Sequence, residues 1–307
     1  MLLRYILKRL GQTLIVLFFV SVVAFMLVRI APGNPARMML PDDATDEQIQ
    51  EMEIKLGLDK PLIVQYGKYM AGVLQGDLGM STTYRTSVSS ILANRLPSTA
   101  RLTLYTMVLC LAIGIPMGII AGAKQGTAID FFSMLFALLG QSMSPVWLAV
   151  LLIFVFSVKL GLLPAMGGAT FVSMILPSVT LGYPPAAQVT RMGRSGMIDV
   201  LREDYITATL AKGIPKRTVY TKYAFKNALI PIVTIVGLQI GGFLAGAVIV
   251  ETVFSLPGIG QLTFQSVGNR DYAMVQSILL IIATLFALIN LTVDVINSLI
   301  DPRITLE

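Results

Sequence analysis

The chain has 307 residues, of which 55% are hydrophobic and only 13% charged, with a formal net charge of +6 and no histidine. That balance, with a mean hydropathy of +0.77, lies outside the range of soluble globular domains and points to lipid as the solvent. It excludes imidazole as metal ligand or general base, and it makes basic cytoplasmic loops, not bound nucleic acid, the source of the positive charge.

Backbone amides must be paired inside hydrocarbon, and the long apolar runs lack the alternation of a barrel, so helices are expected to span. The first run, Leu10 to Val28, follows Arg4, Lys8 and Arg9. It is long for a signal-peptide core and no small-residue cleavage site follows, so it is read as a retained span. Residues 31–98 then carry eight acids between Asp42 and Asp77. Here Thr45 with Gln48 is a candidate capping box, Ile49, Met52 and Leu56 keep helical spacing, and Gly57 is a stop. A second helix is expected from Asp59 and Pro61 to Gly76, burying Leu62, Tyr66, Tyr69, Met70 and Val73 on one face. This insertion is either a lid on the bundle or a docking surface for an extracytoplasmic partner.

Five further runs follow, at Leu102–Ala123, Phe131–Val158, Phe171–Val189, Leu229–Val250 and Val275–Ile300, the fourth being the weakest. Each is long enough to cross about 30 Å of hydrocarbon. Six spans put both termini on one side. The short segments on that side hold thirteen Lys and Arg, eight of them between Arg191 and Lys226, whereas the opposite short loops hold only Lys159 and Arg270. The positive-inside rule therefore places both termini in the cytoplasm. Cys110, the sole cysteine, falls within the second span and has no partner in the chain. The expected divisions are 1–30 (amino-terminal segment and first span), 31–98 (outer helical insertion), 99–300 (five spans, with a cytoplasmic loop at 192–227) and 301–307 (cytoplasmic tail).

Gly114, Gly118 and Gly122, and the pairs Gly237/Gly241 and Gly242/Gly246, recur every four residues, which lets helix backbones approach closely. These seams either only pack the subunit or slide during a transport cycle. In the third span Gln141, Ser142, Ser144 and Pro145 mark a kink or a polar path at membrane depth. In the last span Asn290, Asp294 and Asn297 share a face, and Asp294, close to the cytoplasmic boundary, is expected to pair with a basic residue there. No phosphate cradle of the form G-x-x-x-x-G-K-[ST] occurs, so nucleotide hydrolysis has to come from a partner. A single deep carboxylate with no histidine also leaves no catalytic pair for an intramembrane enzyme.

The stretch Asp199–Asn227, DVLREDYITATLAKGIPKRTVYTKYAFKN, is basic, broken by Gly213 and Pro215, and flanked by spans. Thr207-Ala208-Thr209, three residues, then Gly213 resembles the EAA loop of ABC-importer permeases, whose coupling helix docks in a cleft of the ATPase. Thr207 stands where the general motif has Glu, and the distance from Gly213 to Pro231 is longer than in the general pattern. Both departures are usual in the dipeptide, oligopeptide, nickel and glutathione branch. The segments RYILKRLGQTL, APGNPAR, LGLDKPLIVQY, GDLGMS, ETVFSLPGIGQL and NRDY also resemble that branch, over nearly the whole chain.

The resemblance implies an all-α type I ABC importer permease fold, with residues 99–300 as its transmembrane type-1 domain in a bacterial inner membrane. It implies a second homologous permease subunit, two ABC ATPase subunits carrying ATP and Mg, and an extracytoplasmic substrate-binding protein, with no cofactor on this chain. Asp204, Tyr205, Thr207, Ala208, Thr209, Lys212 and Gly213 are then the ATPase-coupling residues. Gln141, Ser142, Ser144 and Asn290 are candidates for the substrate path, and Glu251, Pro257, Gly258 and Gly260 for an outer gate. The cargo is expected to be a di- or oligopeptide, with glutathione, nickel or another small solute as alternatives. An ATP-independent channel is the alternative of a different class.

Overall fold

The computed structural model describes residues 2–30, 35–38, 40–41, 43–168 and 170–300. The expected tail 301–307, part of APGNPAR and the side chain of Asn297 lie outside the described residues. In chain order the helices are α1 Leu2–Ile30, α2 Pro35–Met38, α3 Asp46–Leu56, α4 Leu62–Leu74, α5 Val88–Ala123, α6 Ala128–Ser142 and α7 Pro145–Leu152. There follow α8 Phe171–Leu201, α9 Asp204–Ala211, α10 Lys216–Thr218, α11 Phe225–Ala228, α12 Ile230–Val253, α13 Ile259–Gly268 and α14 Tyr272–Ile300. π-helical turns extend α7 through Lys159 and join α10 to α11. Among the described residues there is no strand, only an isolated bridge between Met80 and Ser87.

The helix-end chemistry of the insertion forms as its residues dictate. Thr45 and Gln48 make the reciprocal capping box of α3, and Gly57 closes it in the left-handed conformation at φ 74°. The following α4 is shifted from its expected role. Tyr66, Tyr69, Met70 and Val73 are only half-buried, and Leu62 is exposed. The reason is that α4 meets the bundle along one narrow strip, chiefly on α1, with Tyr69 also beside Gln276 of α14. Tyr66 shares a 2.7 Å hydrogen bond with Ser21, both tyrosines stack on Phe25, and Arg29 donates to Gln65 at 2.8 Å.

Four helices are long and apolar enough to span by themselves, over Leu7–Leu27, Val88–Ala123, Ile235–Val253 and Tyr272–Val295. The expected third span differs from its sequence reading. α6 and the α7 segment through Lys159 are bent by 108°, and each piece is about 22 Å long, too short to cross alone. Pro145 is not an internal kink. It starts α7, where its missing N–H leaves nothing unpaired, and it holds Ser144 extended at ψ 134°.

The weakest expected span falls on α8, a 31-residue helix whose composition is diluted by Pro177, Pro184 and Pro185 and by buried Ser173, Ser178, Thr180 and Thr190. It is the centre of the bundle, packed by α5, α6, α7 and α12. The α5 seam explains the glycine spacing. A Cβ on Gly118 would stand 2.6 Å from the Thr190 carbonyl oxygen, one on Gly114 2.9 Å from that of Ala186, and one on Gly122 2.8 Å from that of Arg194. Because the obstacles are backbone, they cannot rotate away. Gly118→Leu is expected to force α5 off α8 at a cost of about 3 kcal/mol, read as a lower unfolding temperature in detergent. An unchanged transition would mean that the seam is not tight.

Among the described residues, two ion pairs join separate helices. Arg194 of α8 grips Asp130 at the start of α6 through two bonds of 2.5 and 2.8 Å, while Asp130 also accepts from the Gly126 amide. Asp294 pairs with Arg9 of α1 at 3.2 Å, as its position near the boundary predicts.

Candidate functional site

The first site is built around α9. After α8 ends at Leu201 the chain turns through Arg202 and Glu203 and runs eight residues of helix, with Asp204 in the first turn matching the positive end of the helix dipole. One residue anchors it. Ile206 is buried against Met197 of α8, Val219, Ala224 and Ala228, with Ile119 and Ala123 of α5 packed on the same cluster. Everything else on α9 faces outward or sits at the edge. Asp204, Tyr205, Thr207, Ala208, Lys212 and Gly213 are exposed and Thr209 is half-buried. Tyr205 accepts a 2.7 Å hydrogen bond from the Asn227 amide, and Thr209 donates to the Tyr205 carbonyl. Gly213 ends the helix at φ 77°, which lets the chain reverse toward Pro215. All seven predicted coupling residues thus fall on one short helix and its terminal turn, held from behind by an apolar peg.

The second site is built around a carboxylate. Glu251, on the last turn of α12, is fully buried. It accepts from the Thr99 hydroxyl of α5 at 2.6 Å and from the Gln261 amide at 3.0 Å, while Thr99 in turn accepts from the Ile259 amide at 2.8 Å. Residues 259 and 261 are in the first turn of α13, so Glu251 and Thr99 together serve as its N-terminal cap. Gly258 and Gly260 are required by contact. A Cβ on Gly258 would lie 2.2 Å from the Glu251 carboxyl carbon, and one on Gly260 2.5 Å from Val248 Cα. Pro257 is exposed and takes no part in the latch. The segment expected as an outer loop therefore contains a ten-residue helix, α13, that its sequence did not announce.

A second carboxylate joins segments far apart in sequence. Asp271, also fully buried, accepts from the Ser81 hydroxyl and, at 3.2 Å, from the Thr83 amide of the outer insertion, and caps α14 through the Met274 amide. Ser81 belongs to GDLGMS and Asp271 to NRDY, so two stretches singled out separately meet in one contact. Val88 and Leu92 of α5 pack beneath it on Ile259, Leu262, Met274 and Ile278.

The mid-depth candidates are not gathered into one site. Gln141, Ser142 and Ser144 are exposed at the α6–α7 break, and Ser142 donates back to the Leu138 carbonyl. Asn290 is half-buried on α14. A pair that sequence reasoning missed lies deeper in the bundle. Gln239 of α12 donates from its amide to the Gln188 side-chain oxygen of α8, both half-buried.

Residues 114–306 match the family described as "Binding-protein-dependent transport system inner membrane component", and residues 2–103 match the amino-terminal domain of such membrane components. Among curated proteins the chain is 40% identical to the dipeptide transport system permease protein DppB of Alkalihalophilus pseudofirmus, covering 98% of this chain and 99% of that one. It is 41% identical to the glutathione transport system permease protein GsiC of Escherichia coli (strain K12) over the same shares. In fold it is similar to the inward-facing MetNI methionine ABC transporter in two crystal forms, with TM-scores of 0.57 and 0.58 at 19% and 18% identity, over 69% of this chain and 96% of that one. An all-helical bundle of apolar spans, a helix presented on an apolar peg and matches covering nearly every residue lead to one conclusion: this chain belongs to the family of inner membrane components of binding-protein-dependent transport systems.

Proposed function

We propose that the chain is a permease subunit of an ATP-driven importer of di- and oligopeptides, one half of a translocation path completed by a second homologous permease. The observation that carries this reading is α9. A short helix fixed by one buried residue, with every other position at or near the surface, is what a separate ATPase needs in order to grip and move the bundle. Two ATPases on the cytoplasmic side and a binding protein on the outer side supply energy and substrate. The basic loop that carries α9 supports both termini lying in the cytoplasm, with α8, despite its low hydropathy, as the fourth of six crossings. ATP-driven closure of the ATPases then rocks the spans between inward- and outward-facing states. Gln141, Ser142, Ser144 and Asn290 face the path, and Glu251, Gly258 and Gly260 set the outer gate.

The similarity to a dipeptide permease supports a peptide cargo, and the similarity to a glutathione permease keeps that tripeptide as the second reading. The test is uptake by proteoliposomes carrying the chain with its second permease, ATPases and binding protein. Labelled alanyl-alanine is expected to accumulate only with ATP inside the cytoplasmic face. Accumulation of glutathione alone favours the second reading, and ATP-independent flux of either solute removes the importer reading in favour of a channel.

A further inference from the structure

Three faces of α8 are covered by close contacts. Gly114, Gly118 and Gly122 of α5 lie on Ala186, Thr190 and Met197, Gly140 of α6 lies on Ala187 and Tyr183, and Gly246 of α12 reaches Leu181. The fourth face carries Pro184, Gln188, Arg191 and Ser195 at helical spacing, the first two half-buried and the last two exposed. Along most of α1 and α6 the exposed positions are apolar, as lipid requires, among them Leu14, Phe18 and Phe19 on α1 and Phe131, Phe132 and Leu138 on α6. An amide, a guanidinium and a hydroxyl in line are costly against hydrocarbon, so this face borders water. It also explains why α8 is the least apolar of the long helices.

On that face the Gln188–Gln239 hydrogen bond uses one donor and one acceptor. It leaves the Gln239 Oε1 acceptor and the Gln188 Nε2 donor with no other hydrogen bond, and exchanging O and N in both amides leaves the same complement. A peptide unit presents the reciprocal pair, one N–H and one C=O. Resting on the peptide reading above, we propose that Gln188 and Gln239 form a transit site in this permease that recognises the peptide unit of the cargo, with Arg191, one turn toward α9, receiving its terminal carboxylate. The chemistry suits transport. Two neutral hydrogen bonds and one exposed ion pair orient a peptide of any side chain without holding it tightly.

The experiment compares uptake of alanyl-alanine with that of its ester analogue, in which oxygen replaces the peptide N–H, by the complete transporter in proteoliposomes. Assembly is checked by gel filtration, and the preference of the binding protein alone is measured separately. Gln188→Leu and Gln239→Leu are each expected to slow dipeptide uptake about fivefold, and the variant of the residue whose amide oxygen accepts the peptide N–H, Gln239 in the arrangement described, also reduces the amide-over-ester ratio to that of the binding protein. Should a leucine variant fail to assemble, Gln188→Asn and Gln239→Asn keep an amide but withdraw it by one methylene, and the rate falls for both and the ratio for Gln239→Asn in the same way. Unchanged rate and ratio in variants of a transporter that carries alanyl-alanine overturn the transit site and leave the peptide reading intact. A wild-type transporter that carries another solute and no dipeptide overturns the peptide reading, and the site with it.

Discussion

Replacing Ala208 with glutamate is expected to reduce ATP-driven uptake by at least tenfold while the chain still inserts and assembles with its second permease. Ala208 is exposed on α9 and stands on the opposite side from buried Ile206, so a longer charged side chain meets no part of this subunit. Its whole effect falls on whatever docks there, where an uncompensated charge in an interface core costs several kcal/mol. Gly213 is a less clean probe, because its φ of 77° adds a backbone cost of about 1 kcal/mol to any substitution. Ile206→Ala is the complementary variant. It empties the peg's socket, leaves the outward face intact, and loosens α9 from α8 by about 2–4 kcal/mol. Both variants are read as the ratio of solute imported to ATP hydrolysed. A normal ratio in Ala208→Glu would mean that this face touches no ATPase during turnover.

Glu251→Ala is expected to produce the largest loss of stability of any single change on the outer side, about 3–5 kcal/mol. The substitution strands the Thr99 hydroxyl and the Gln261 amide, both turned toward a carboxylate that is fully buried, and opens a cavity in their midst. Thr99→Val, which keeps the shape and removes only the hydroxyl, is expected to cost about 1–2 kcal/mol. The two changes share a partner, so the double variant is expected to fall short of their sum. Thermal unfolding in detergent gives the energies, and hydrogen exchange at the Ile259 and Gln261 amides locates them. Protected amides in Glu251→Ala would show that α13 is capped by something else.

The membrane class, the helices α3 and α4 and the short helix α9 were all readable in advance, because each is written in local chemistry. Thr45, Gln48 and Gly57 mark the ends of α3 without help from elsewhere, and an apolar run announces a span whatever it packs against. Features that depend on distant partners were not readable. α13 begins at Gly258 with no capping side chain of its own, since its cap comes from Glu251 and Thr99, so nothing in IGQLTFQSVG marks a start. The glycine spacing in α5 revealed close packing but not that α8 was the partner. Arg194 read as one more cytoplasmic charge until Asp130, 64 residues earlier, closed on it. Pro145 was taken for an internal kink because a proline inside an apolar run looks the same whether it bends one helix or starts another. Gln188 was overlooked because it lies in the run whose apolar pattern was faintest, the dilution being a trace of the water-facing stripe itself.

The length of α5 has a mechanical consequence. At 36 residues it is one continuous helix of about 54 Å with Pro97 and Pro116 inside it, Ile119 and Ala123 being set against the α9 peg at one end and Thr99 bound to the Glu251 latch nearer the other. The glycine seam at Gly114, Gly118 and Gly122 lies near the α9 end, so a tilt of about ten degrees about it carries Thr99, about 28 Å away, roughly 5 Å while the α9 end moves only about 1 Å, in the opposite sense. The seam therefore makes α5 an unequal lever, in which a small displacement beside α9 is enlarged several-fold at the Glu251 latch, and no signal has to cross between separate parts.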